Sequence, residues 1–196
     1  MDLPELPGER LDLVSLDEAG LDDMFEYSKM PEFYRFMAEL DVQKTLEDTQ
    51  QYLKKLIKRS DSAEGHYWFI RHRSDNKIIG TFGLLNFDRN RNSIEIGYGL
   101  SPHYWGHGYF QEVLAITLNF CFSKLNIHRV WAKTQADNAP SIGALCRTGF
   151  KQEGIMRDYY RSSHDGVYHD AALLGMLSSE FVKKDKADQK LKPLFI

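Results

Sequence analysis

The chain has 196 residues, 42% hydrophobic, 27% charged and 13% aromatic, which is enough for one domain with a real core. Its formal net charge of −3 leaves no footprint for non-specific nucleic-acid binding. No apolar run approaches membrane-spanning length, and the acidic, proline-bearing start from Met1 to Glu9 lacks the basic and apolar regions of a secretory signal.

Arg10 to Val14 reads as a first strand and Leu16 to Phe25 as a helix. Met30 to Asp41 is an aromatic-rich loop or short helix holding Phe33, Tyr34 and Phe36. Thr45 is predicted to cap a helix running to about Arg59, with Leu46, Thr49, Leu53, Leu56 and Ile57 on its apolar face. Tyr67 to His72 and Lys77 to Asn86 read as two strands joined by the turn Ser74-Asp75-Asn76. A polar turn from Asp88 to Asn92 leads into a strand from Ser93 to Leu100 that carries Glu95.

The segment Ser101-Pro102-His103-Tyr104-Trp105-Gly106-His107-Gly108-Tyr109-Phe110 follows that strand and precedes an amphipathic helix. The helix is read from Phe110, Val113, Leu114, Thr117, Leu118, Cys121, Phe122 and Leu125, which recur on one helical face. A strand, a glycine-bearing turn and a helix N-terminus make an anion site, because turn N–H groups and the helix dipole favour negative charge there. The expected ligand is a phosphate or pyrophosphate. Gln111 stands where the third glycine of a dinucleotide fingerprint would be, and the Gly-Lys-Ser/Thr of a P-loop is absent. His103 and His107 are four apart, but Trp105-Gly106 between them marks a loop, so no metal site is predicted.

Asn126 offers a left-handed stop before a strand from Ile127 to Ala132. Asn138 is expected to cap a short helix with Ala139 and Pro140 in its first turn, Gly149 to end it, and Phe150 to open a strand. Gln152 to Arg161 and Val167 to Met176 are predicted to pair across Ser163-His164-Asp165-Gly166. Lys183 to Lys192 is polar and lysine-rich, a frayed helix or tail, and Leu194-Phe195-Ile196 is either a docking segment or disordered. Cys121 and Cys146 are both expected on buried helix faces as reduced thiols, which points to a cytoplasmic protein. No internal repeat and no second domain is visible.

At Asp137 to Phe150 the chain resembles the GCN5-related N-acetyltransferases, in their RimJ/RimL-like branch. Four motifs carry the resemblance over about residues 9 to 177. They are Glu9-Arg10-Leu11-x-Leu13, Ile94-Glu95-Ile96-Gly97-Tyr98, Tyr104-Trp105-Gly106-His107-Gly108-Tyr109 with the later Asn126-Ile127-His128-Arg129-Val130, and Asn138-x-x-Ser141 with Gly149-Phe150. The resemblance implies a mixed α/β fold whose central sheet is mostly antiparallel and splays between the strands of Glu95 and Trp131. It divides the chain into an N-terminal extension (1–8), an acetyltransferase domain (9–180) and a charged tail (181–196). It implies acetyl-CoA as co-substrate, an amine acceptor and a monomer or homodimer, while charge, hydropathy and the scattered histidines speak against nucleic-acid, membrane and metal partners.

Site residues follow from the same source. Glu95 is the candidate general base, since a carboxylate in an apolar strand can take a proton; the plainer reading is a pair with an arginine or a bond to a turn. Ser141 is the candidate donor to the departing thiolate, and Asn138 could bond the pantetheine arm, or both simply satisfy the helix start. The superfamily often places a tyrosine four residues after this serine; here Leu145 stands there, which favours Ser141 or solvent as the donor. His103 occupies the superfamily's glutamine or arginine position. Main-chain N–H groups of Trp105, Gly106, His107, Gly108, Tyr109 and Phe110 would hold the pyrophosphate, and the edge of Ile96, Tyr98 and Leu100 the pantetheine. Phe33, Tyr34, Phe36, Tyr98, Tyr159 and Tyr160 are acceptor-site candidates, with core packing as their alternative.

The leading function is acetyl transfer from acetyl-CoA to a primary amine by direct attack in a ternary complex, with a protein N-terminus of ribosomal type as the favoured acceptor. An amino-sugar nucleotide or a small amine such as a polyamine or aminoglycoside is the alternative acceptor. A non-catalytic acyl-CoA-binding domain competes from another class, and a Rossmann-type nucleotide domain is disfavoured by the hairpin-like strand order.

Overall fold

The protein is described by a computed structural model covering residues 3–37, 39–62, 65–163 and 165–181. The predicted Lys183–Lys192 tail, Leu194-Phe195-Ile196 and His164 of the hairpin turn lie outside the described residues. Eight strands form one sheet, β1 (Leu6–Pro7), β2 (Leu11–Ser15), β3 (Gly65–His72), β4 (Lys77–Asp88), β5 (Ser93–Leu100), β6 (Arg129–Gln135), β7 (Lys151–Arg161) and β8 (Tyr168–Leu177), in the order β1-β2-β3-β4-β5-β6-β8-β7. Every pairing is antiparallel except β5 with β6.

Strand alternation divides the core. On β2 and β3, Leu11, Leu13, Trp68 and Ile70 enter the larger cluster, whereas Val14, Tyr67 and Phe69 enter a second one. Helices α1 (Leu21–Ser28) and α2 (Leu46–Asp61) cover the second cluster with Met24, Tyr27, Leu53 and Leu56. Helices α3 (Tyr109–Ser123) and α4 (Ala139–Thr148) cover the first with Val113, Leu114, Leu118, Cys121 and Leu145. No described helix is long and apolar enough to cross a membrane.

Most boundaries fall where local chemistry puts them. Thr45 and Asp48 form a reciprocal capping box at the start of α2. Asn126 adopts a φ of 52°, and Gly149 ends α4 at a φ of 108°. Four expectations need correction. Leu46, read on the apolar face of α2, is the helix's first residue and is 42% exposed. The strand read as Ile127 to Ala132 is β6, Arg129–Gln135. The predicted Leu16–Phe25 helix is a 3-10 turn, Glu18–Gly20, followed by α1, because the Asp17 side chain caps Gly20 N–H at 3.2 Å and closes a separate first turn. Cys146 is exposed and not buried. The buried positions of α4 are Ala144 and Leu145, and Cys146 with Arg147 faces solvent.

The N-terminal residues join the fold. Leu3 and Leu6 sit in the larger core, β1 pairs with β2, and Trp68 Nε1 donates to Pro4 O at 3.0 Å. The β5–β6 ladder has three rungs, Ser93↔Arg129, Ile94↔Val130 and Glu95↔Trp131, and then stops. Its base is closed by Asn92, whose carbonyl accepts from His128 and Arg129 N–H and whose side-chain amide donates to Asn126 O at 2.7 Å. Beyond Glu95 the two strands diverge, and β5 keeps only its β4 partner on the other edge.

Candidate active site

The divergence leaves Ile96–Leu100 on β5 unpaired with Ala132–Gln135 on β6, and this gap is the candidate groove. At one end lies the glycine turn. Gly106 and Gly108 have φ of 79° and 73°, the left-handed region that side chains avoid, and a Cβ at Gly106 would meet nothing within 4 Å. Gly108 is the N-cap of α3 and makes no side-chain cap. The first-turn N–H groups of α3 therefore have no side-chain cap. The turn is held from outside. Trp105 Nε1 donates to Leu100 O at 2.7 Å, so one of the predicted pantetheine carbonyls already has a partner. Tyr109 OH lies 2.9 Å from His72 Nε2, and His107 stacks on the Tyr109 ring at 5.7 Å.

Glu95 stands at the last rung of the ladder and is 7% exposed. Asn86 Nδ2 donates to its Oε2 at 2.6 Å, and Lys133 Nζ lies 3.3 Å from its Oε1. The partner is thus a lysine, where sequence reasoning had offered an arginine or a turn. Lys133 also donates to Tyr159 OH at 2.6 Å and lies over the Trp131 and Tyr159 rings. Burial alone would lower its ammonium, but the Tyr159 bond and the Glu95 charge outweigh it and hold the group above its ordinary value. Lys133 was missed from sequence. Its signal is positional: it follows Trp131, the residue opposite Glu95, by two on β6 and so shares that residue's face of the strand.

Tyr98 and Ser141 come together as a hydroxyl pair, 2.7 Å apart. The Tyr98 ring packs on Phe110 at 4.2 Å and stacks with Phe82. Burial pushes its hydroxyl up to about 12, against the smaller pull of the Ser141 bond. Asn138 is occupied at both ends: its Oδ1 accepts from Ser141 N–H at 3.2 Å, and its Nδ2 donates to Thr134 Oγ1 at 2.8 Å. It caps α4 and ties the helix start to β6. Ile96 is buried in the core, so only its backbone is available to the groove.

The aromatic candidates divide. Phe33 packs on Tyr27 and Tyr34, and a Cβ on Gly99 would strike its ring at 2.7 Å, so the Pro31–Tyr34 turn rests directly on β5. Tyr34 is buried and its hydroxyl accepts from Gln43 N–H at 3.4 Å, which backs the loop. Phe36 carries the Arg35 guanidinium over its ring. Tyr159 is 42% exposed and meets Tyr160 edge to face at 5.0 Å. Burial, with Tyr159, Glu39 and Glu95 nearby, pushes the Tyr160 hydroxyl above its ordinary range. Ser163 Oγ donates to Asp41 Oδ1 at 2.8 Å and ties the β7–β8 turn to the Met30–Asp41 segment. Among the described residues no three His, Cys, Asp or Glu side chains gather to hold a metal ion.

The comparisons agree with this architecture. The profile of the acetyltransferase (GNAT) domain matches residues 10–151. An uncharacterised N-acetyltransferase p20 of Bacillus licheniformis is 27% identical over 88% of this chain and 96% of its own length. A [ribosomal protein uS5]-alanine N-acetyltransferase of Escherichia coli is 26% identical over 59% of each chain. Among solved structures, a spermidine N-acetyltransferase from Vibrio cholerae in complex with CoA and spermine superposes with a TM-score of 0.72 at 16% identity, covering 87% of this chain and 97% of that one. The chain belongs to the GNAT family, in its RimJ/RimL-like branch. It is an acetyl-CoA-dependent N-acetyltransferase, and its relatives include ribosomal-protein and spermidine acetyltransferases.

Proposed function

We propose that the protein acetylates the α-amine of a protein N-terminus by direct attack on acetyl-CoA, with Glu95 at one end of the proton path and the Tyr98–Ser141 pair at the other. The observation that carries this reading is the 2.7 Å hydroxyl pair on the same groove as a buried carboxylate. The pyrophosphate lies over the N–H groups from Trp105 to Phe110, and the free edge of β5 takes the pantetheine amides. The glycine turn supports this placement because its cradle is open and its N–H groups are uncapped.

In the reaction, Glu95 accepts a proton from the acceptor ammonium, and the freed nitrogen lone pair attacks the thioester carbon. As the C–S bond breaks, Ser141 donates its proton to the sulfur and takes one from Tyr98. The second proton, shed by the nitrogen as it becomes an amide, and the one held by Glu95 pass to solvent, and solvent reprotonates Tyr98. Burial raises the Tyr98 hydroxyl to about 12, so it carries the proton to be passed on when the reaction begins. Lys133 balances Glu95 and, with Tyr159, borders the acceptor.

The choice of acceptor rests on charge. Glu95, the buried carboxylate at the splay, is already paired with Lys133. A terminal α-amine has an ordinary pKa of about 8, so a useful fraction is neutral without help. A polyamine arrives with further ammonium groups that want free carboxylates. The relative that acts on a ribosomal-protein alanine supports the same choice. The test is a thiol-release assay with acetyl-CoA and four classes of acceptor: short peptides beginning with Ala or Ser, spermidine, an aminoglycoside and an amino-sugar nucleotide. We expect kcat/KM for one of the peptides to lead by about tenfold or more. A lead for any other acceptor overturns the choice of amine. Absence of thiol release with all of them, from protein that binds acetyl-CoA, overturns the catalytic roles.

A further inference from the structure

We infer that Arg10 is a positioning residue for the acetyl-CoA pyrophosphate, acting through the backbone of the glycine turn; this rests on the placement of the pyrophosphate over that turn. Arg10 lies at the start of β2's approach and reaches α3 and its preceding turn about a hundred residues away. Its Nη1 donates to His107 O at 3.1 Å and its Nη2 to Gly108 O at 3.4 Å. Its Nε donates to Glu112 Oε2 at 2.8 Å, and its guanidinium lies over the Tyr109 ring at 4.6 Å.

Two consequences follow from these contacts. A trans peptide unit is planar, with C=O and the next N–H pointing in opposite directions. Gly108 O also accepts from Glu112 N–H at 3.3 Å, so α3 itself aims the Tyr109 N–H outward. What Arg10 adds is its hold on His107 O, which turns the Gly108 N–H the other way, toward the place of the anion. The left-handed φ of Gly106 and Gly108 permits that arrangement but does not by itself select it. The second consequence concerns charge. Glu112 sits in the first turn of α3, where its carboxylate opposes an anion. It is fixed there, because its Oε1 accepts from the N–H groups of Glu9, Arg10 and Leu11 at 3.0, 2.7 and 3.1 Å. Arg10 neutralises it in place, so the carboxylate can anchor the N-terminal strand to α3 without repelling phosphate.

The test compares acetyl-CoA with S-acetylpantetheine, which has the thioester and amide arm but no pyrophosphate. Arg10→Met should raise KM for acetyl-CoA about tenfold while kcat/KM for S-acetylpantetheine stays within about twofold of wild type. Arg10→Lys keeps the charge and loses the fork, and should raise KM for acetyl-CoA about threefold. Should Arg10→Met fail to fold in a thermal melt, Arg10→Lys carries the test with the same pair of donors. An equal loss on both donors, or no change on either, overturns the inference. Gly108→Asp run in parallel separates the two ideas. If it leaves KM for acetyl-CoA unchanged, the pyrophosphate placement is wrong. If it raises KM and the Arg10 variants do not, only the role of Arg10 is lost.

Discussion

From Ser93 to Gly149 the chain runs without interruption through β5, the glycine turn, α3, β6 and α4, and this one stretch supplies the proposed cofactor bank of the groove. The opposite bank draws on segments far apart in sequence: the Pro31–Tyr34 turn resting on Gly99, and Tyr159–Tyr160 from a strand exposed along nearly all its length. The first bank works through backbone groups, caps and φ angles, which tolerate side-chain change. The second works through side chains, which a few substitutions can re-aim. A family that keeps its cofactor and varies its acceptor is served by that division.

The largest effect should come from the backbone bank. Gly108→Asp adds a carboxylate at a left-handed position in the proposed anion cradle, and acetyl-CoA affinity should fall by about a hundredfold or more in calorimetry. Unchanged affinity in folded protein would remove the distinction between the two banks.

Next come the residues of the proposed proton path. Ser141→Ala and Tyr98→Phe should each lower kcat by about tenfold to a thousandfold with little change in acetyl-CoA affinity. The double variant should cost little more than either single one, because the two hydroxyls act as one unit. Additive losses in pre-steady-state rates would separate them. Glu95→Gln should leave turnover dependent on amine already neutral in solution, so its rate should climb with pH where wild type levels off. Wild-type rate and profile in that variant would take Glu95 out of the mechanism.

A smaller effect belongs to Lys133. Lys133→Met leaves Glu95 buried with only Asn86, and should cost about 3 kcal/mol of stability at neutral pH. The Lys133 ammonium is held above its ordinary value of 10.5 in the folded protein. Its contribution is therefore complete below about pH 10 and is lost as pH rises through the folded value. Melts of wild type and variant should run parallel from pH 6 to 9 and converge at higher pH; a gap that widens there would contradict the pairing. Least of all, Tyr159→Phe removes one hydroxyl on a half-exposed ring and should raise the acceptor KM by about twofold to fivefold, with the acetyl-CoA KM unmoved.

How much of this could be read from sequence follows the same division. Ser93–Leu100, the glycine turn, the α3 face and the Asn138 cap were legible because each depends on neighbours within a few residues. The splay between β5 and β6 comes from family resemblance, and their parallel pairing is a finding of the structure. Lys133 was hidden because its partner Glu95 is across a crossover, and only the register Glu95↔Trp131 brings them together. Tyr98 and Ser141 were each singled out, yet their contact depends on how α4 packs beside β5. Arg10 was visible as part of a motif, while its grip on His107 and Gly108 required the whole fold. Cys146 shows the limit of periodicity in a ten-residue helix, where only Ala144 and Leu145 are buried.

The three-rung ladder between β5 and β6 has a mechanical meaning. Strands β1 to β5 form one antiparallel plate and β6, β8 and β7 another, and within the sheet they are riveted only at Ser93–Glu95 and Arg129–Trp131, with Asn92 as a washer at the base. Such a joint has the geometry of a pair of tongs. Its pivot is set by the three rungs, so a rotation of one plate against the other about them would change the separation at Tyr98 and Thr134 more than at Ile94. With the pantetheine arm bound as proposed, its entry and exit would then share one axle.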